Sequence, residues 1–107
     1  MATIKVKTID ISAKEWTDKK FGNSYFSGIV TVNYGMENEK VIHLPFQYGY
    51  GDHYTTVAQN ELVKLGFMSD SHLHIANYCR EHSIIYRANI QRSCLLRDVK
   101  NLIRNSF

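Results

Sequence analysis

Residues 45–54 read Pro45-Phe46-Gln47-Tyr48-Gly49-Tyr50-Gly51-Asp52-His53-Tyr54, and here an alternating β pattern gives way to a helical one. The stretch holds the only proline, two of the six glycines and three of the seven tyrosines. Upstream, Ile42, Leu44 and Phe46 recur at a period of two, as in a half-buried strand. Downstream, Tyr54, Val57, Ala58, Leu62 and Leu65 recur at helical spacing. Asp52 stands at the N-cap of that helix and Gly66 at its C-terminal stop. Pro45 removes a ladder N–H, so the strand lies at a sheet edge or ends there.

Working outward, Tyr25 to Tyr34 has high β propensity and sets Phe26, Gly28, Val30, Val32 and Tyr34 on one face. Gly28 marks a bulge or a close approach of another backbone. Ile4 and Val6 alternate with Lys5 and Lys7 as a half-buried strand, whereas Ile9 and Ile11 fall on the opposite phase, which predicts a bulge or bend near Thr8. Residues 12–20 form the first arm of a hairpin turning at Phe21-Gly22-Asn23-Ser24, and Asn33 to Asn38 is a second turn. Beyond residue 66, a second helix is expected from Ser69-Asp70-Ser71 to His82-Ser83, with Leu73, Ile75, Ala76 and Cys79 inward. A strand follows with Ile84, Tyr86, Ala88 and Ile90 on one face. Ser93 then caps a last helix bearing Leu95, Leu96, Val99, Leu102 and Ile103. The expectation is one α+β domain over residues 1–107. An antiparallel β-meander of three to four strands precedes two helices, a further strand and a C-terminal helix, with the helices on one face of the sheet.

A chain of 107 residues can bury one core without metal or disulfide staples. No run approaches the roughly 20 apolar residues of a membrane span. The N-terminal Met1 to Lys7 lacks a signal-peptide apolar region, so a cytoplasmic location is expected, with Cys79 and Cys94 as reduced thiols. Net charge is only +3, but every arginine lies after residue 79. Residues 70–107 carry Arg80, Arg87, Arg92, Arg97, Lys100 and Arg104 against Asp70, Glu81 and Asp98. Arginine makes forked contacts with carboxylate or phosphate.

The chemistry-bearing residues match no catalytic or metal motif. His72 and His74 point to different sides of a helix, and no CxxC or HxxxH pair is present. Gly49-Tyr50-Gly51-Asp52 precedes a helix like a phosphate loop, yet it lacks the Gly-Lys-Ser/Thr of a P-loop, and Asp52 would repel an anion. Neither a cofactor nor a metal is expected, and no catalytic residue is assigned. Tyr48, Tyr50, Asp52 and His53 form one candidate partner-binding surface, because tyrosines suit interface anchoring. Arg87, Arg92, Arg97, Lys100 and Arg104 form another, for nucleic acid or an acidic partner. A small enzyme using Cys94, whose thiol begins a helix, or a histidine is a third reading. A homodimer through the edge at Lys40–Pro45 stays open.

At Ser24 to Ser27, Val30 to Gly35, Pro45 to Tyr54 and Arg97 to Leu102, the sequence resembles small bacteriophage and prophage accessory proteins. That resemblance implies a protein made in an infected bacterial cell that acts by stoichiometric binding to a host protein or nucleoprotein. Inhibitors of host defence, anti-CRISPR proteins among them, belong to this group. It assigns no functional residue.

Overall fold

The computed structural model describes residues 5–70 and 72–100. They form an α+β fold in the order β1 (Thr8–Thr17), β2 (Ser24–Val32), β3 (Lys40–Tyr48), α1 (His53–Lys64), α2 (Ile75–Glu81), β4 (Ile85–Gln91) and α3 (Leu96–Lys100). The four strands make one mixed sheet of order β3-β2-β1-β4. The first three are the expected antiparallel meander. β4, however, adds beside β1 in parallel. Since β3 runs in the direction of β1, the two helices that follow it carry the chain back to start β4 in that same direction.

Register explains the core. Ile9, Ile11, Ala13 and Glu15 stand opposite Val32, Val30, Gly28 and Phe26, and these side chains share one buried face. Against it pack Tyr54, Ala58 and Leu62 of α1 and Ile75, Tyr78 and Cys79 of α2. The strand expected around Ile4 and Val6 is not formed over the described residues 5–7, and β1 begins at Thr8 with Ile9 and Ile11 inward. Both readings of Gly28 hold. The β2–β3 register shifts between Phe26 and Gly28, and a β-carbon at 28 would stand 2.9 Å from the Ser12 carbonyl oxygen across the β1 ladder.

Three expectations are corrected. First, the helices do not share one face. Ser27, which alternates with Phe26 and Gly28, donates its hydroxyl proton to the Val99 carbonyl, and Lys100 Nζ sits 5.6 Å from the centre of the Phe46 ring. α3 therefore crosses the face opposite α1 and α2. Second, Phe46 is not aligned with Ile42 and Leu44. The extra residue in β3 turns it to that opposite face, where Trp16, Tyr25 and Phe46 stack with centroid separations of 5.7 and 5.4 Å. Third, the boundaries move. α2 begins at Ile75 with His74 as its N-cap, not at Ser69. Ser93 takes a left-handed φ of 59°, so it turns the chain ahead of α3, which starts at Leu96. Leu65 and Leu95 are exposed at 43% and 56% rather than inward. Gly66 ends α1 with φ of 87° as expected. Leu102, Ile103 and Arg104 lie outside the described residues.

Asn33 joins the turn after β2 to the entry of β1. It is fully buried with φ of 57°, a conformation asparagine tolerates better than most residues. Its Oδ1 accepts from the Lys7 and Thr8 N–H groups at 2.7 and 3.3 Å. Its Nδ2 donates to the Lys5 carbonyl and Asn38 Oδ1.

Candidate functional site

The corner at 48–56 is shaped by steric exclusion. Gly49 follows β3, and its N–H donates to the Ser24 carbonyl at 3.0 Å. A β-carbon there would stand 2.6 Å from His53 Cδ2 and 2.7 Å from Phe26 Cε1. Only glycine lets the backbone lie between the core phenylalanine and the first residue of α1. Gly51, at φ of 61°, then turns the chain, and the His53 N–H donates to the Tyr50 carbonyl. His53 meets the Phe26 ring edge-on at 6.1 Å.

Asp52 occupies the N-cap position but its side chain makes no capping hydrogen bond. Its carbonyl is used instead, accepting from the Thr55 N–H at 3.0 Å and the Thr55 hydroxyl at 2.7 Å. The carboxylate is left on the surface. That corrects the expected cap, and it leaves a negative charge at the mouth of α1, unfavourable to an anion there.

Tyr48 and Tyr50 are 58% and 70% exposed. Tyr48 rests edge-on against Tyr25 with centroids 5.8 Å apart, continuing the row of Trp16, Tyr25 and Phe46. The two tyrosines, Asp52, His53, Thr56 and His74 line an open hollow of about 640 Å³. The structure thus brings Tyr48, Tyr50, Asp52 and His53 together and adds His74, which the sequence reading missed as a member of this surface. Nothing in the local pattern marks it, because it arrives through the packing of α2 on α1.

His74 is held at both nitrogens. Nδ1 accepts from the Ala76 N–H at 3.1 Å, capping α2, and Nε2 lies 3.3 Å from Thr55 Oγ1. The cap makes Nδ1 the acceptor, so the neutral ring carries its proton on Nε2 and donates to Thr55, whose own proton goes to Asp52. Both nitrogens are occupied by structural partners, which suits a fixed wall of the hollow rather than a proton shuttle. Beneath it, burial is the main cause that raises the Tyr54 hydroxyl pKa. The Asp52 charge adds to the shift and Arg92 opposes it.

The basic candidates fall on separate elements, and some are already paired. Arg87, on the outer face of β4, forks onto Asp10 at 2.5 and 3.2 Å. Arg92, past the end of β4, pairs at 3.0 Å with Glu15, whose side chain is only 7% exposed. Arg97 and Lys100 lie on α3, and Arg104 is outside the described residues. Two of the four described cations are thus already matched by carboxylates.

The thiols are free. Cys79 is fully buried and burial pushes its pKa up to about 11, which disfavours the nucleophilic thiolate. Cys94 precedes α3 instead of beginning it. Its thiol points at the Gln91 carbonyl, 3.2 Å away, turned away from the helix amides the sequence reading had invoked. Among the described residues no three His, Cys, Asp or Glu side chains converge as a metal site would need, and no helix is long and apolar enough to cross a membrane.

No family model, curated protein or solved structure matches this chain.

Proposed function

We propose that the chain is a phage-type accessory protein that binds a bacterial host protein or nucleoprotein stoichiometrically, using the corner at Tyr48, Tyr50, Asp52, His53 and His74. Inhibition of a host defence complex, in the manner of anti-CRISPR proteins, is the role its resemblance to phage accessory proteins favours. The observation that carries the reading is the exposure of Tyr48 and Tyr50 at the rim of an open hollow that also holds Asp52, His53 and His74.

Aromatic side chains dominate the energetics of protein interfaces, and tyrosine offers a large ring with a polar tip. An anchor on fixed backbone loses little freedom when it docks, so more of its contact energy appears as affinity. Gly49 seats the start of this corner against the core, between Phe26 and His53. Asp52, His53 and Thr56 line the same hollow with hydrogen-bonding groups, the polar rim such an interface uses. Direct nucleic-acid binding through Arg87, Arg92, Arg97, Lys100 and Arg104 draws less from the geometry, since two of the four described members are already paired with carboxylates. The reading is tested by isolating the partner from host lysate and comparing its affinity for the wild type and for a Tyr48→Ala, Tyr50→Ala, His53→Ala variant.

A further inference from the structure

The two edges of the sheet differ. On β3, Lys40, Pro45 and the irregular register beside Phe46 all obstruct the addition of another strand. β4 has none of these devices: Ile85 to Gln91 contains no proline, lysine or glycine and follows β1 in unbroken register.

The Ile85 N–H donates to the Lys7 carbonyl at 2.9 Å, so Ile85, Arg87, Asn89 and Gln91 direct their backbone groups toward β1. In a parallel pair the alternate residues face away. The N–H and C=O groups of Tyr86, Ala88 and Ile90 therefore line the open edge, and among the described residues none of them has a backbone partner there. Beside them Ile85 is 59% exposed and Ala88 is exposed.

We infer that β4 pairs antiparallel with β4 of a second copy of this chain, about a twofold axis perpendicular to the sheet at Ala88. With the axis there, Ala88 exchanges both hydrogen bonds with its own counterpart, and Tyr86 exchanges both with Ile90 of the second copy. Every outward backbone group of the strand is then satisfied. The side chains suit the same register: the small Ala88 sits on the axis, Tyr86 faces Ile90, Ile85 faces Gln91, and Arg87 faces Asn89. No like charges stand opposite one another. One residue of slip in either copy would aim outward groups at inward ones. An edge pair of this length buries less than the roughly 1,200–2,000 Å² of a standard interface, so the dimer is weak and depends on concentration.

Sedimentation velocity of the whole chain from micromolar to millimolar concentration tests this. The dimer fraction rises across that range in the wild type. Ala88→Pro removes an N–H that faces away from β1, so no hydrogen bond of the chain's own sheet is lost, and weakens the dimer by about tenfold or more. Asn89 supplies a second test that does not touch the backbone. Asn89→Arg sets a positive charge opposite Arg87 of the second copy and weakens association, whereas Asn89→Glu strengthens it. A chain that stays monomeric throughout the range, or a dimer whose strength ignores the charge at 89, overturns the inference.

Discussion

Gly49 lies so close to Phe26 that a β-carbon at 49 would stand 2.7 Å from the Phe26 ring. This contact ties the exposed corner to the core, because Phe26 is 1% exposed and cannot withdraw into solvent without opening the sheet. Gly49→Ala is expected to cost about 1–3 kcal/mol, the usual penalty of overpacking. Urea denaturation followed by circular dichroism measures it. A change within about 0.5 kcal/mol, the range of an ordinary surface substitution, would mean that the corner yields.

Asn33 should be the most sensitive polar position. Asn33→Ala leaves the Lys7 N–H and Lys5 carbonyl without their side-chain partners and removes asparagine's tolerance of a positive φ. The expected loss is about 2–4 kcal/mol. Asn33→Asp should lose part of this, because it retains the acceptor for Lys7 and Thr8 but not the donor to Lys5. Thermal or urea unfolding of the two variants ranks them, and equal stabilities would contradict the role given to Oδ1.

The two arginine pairs should behave differently. Arg87 meets Asp10 with side-chain exposures of 60% and 27%, so Arg87→Met is expected to leave stability nearly unchanged. Arg92 partners a Glu15 carboxylate that is almost wholly buried. Arg92→Met leaves that charge uncompensated, at a cost of about 1–3 kcal/mol. Adding Glu15→Gln should recover part of the loss. Equilibrium unfolding of the three variants decides the ranking.

Cys79 predicts an alkaline effect whose sign follows from its burial. The folded thiol is raised from 9.0 to about 11, so the unfolded chain releases its proton first. The stabilising contribution is complete below pH 9 and is lost as pH climbs through about 11. Stability should therefore fall more steeply over this window in the wild type than in Cys79→Ala. In thiol labelling at neutral pH, Cys94 reacts in the folded state and Cys79 only on unfolding.

Much of the fold is legible in the chain because alternation is local. Phe26, Val30 and Val32 mark their strand, and Gly66 marks the end of α1. Parallel pairing of β4 is not legible, since Tyr86, Ala88 and Ile90 alternate identically beside a parallel or an antiparallel neighbour. The two-sided covering of the sheet left a trace: Tyr25 and Ile29 are apolar on the phase opposite Phe26 and Val30, and Trp16 stands across from Tyr25. The bulge that swings Phe46 to that side depends on the β2–β3 register, which no local pattern around Pro45 encodes. Tyr48, Tyr50, Asp52 and His53 could be grouped because they are neighbours in sequence. His74 could not, because only tertiary packing brings it to Thr55.

The central claim is that the tyrosine corner is the surface through which this protein binds its target. The most direct measurement is the affinity of the isolated host partner for wild type and for the folded Tyr48→Ala, Tyr50→Ala, His53→Ala variant, with circular dichroism confirming the fold. Loss of anchoring rings should weaken binding by about a hundredfold or more, as truncation of interface hot spots does. Wild-type affinity in the folded variant would contradict the account.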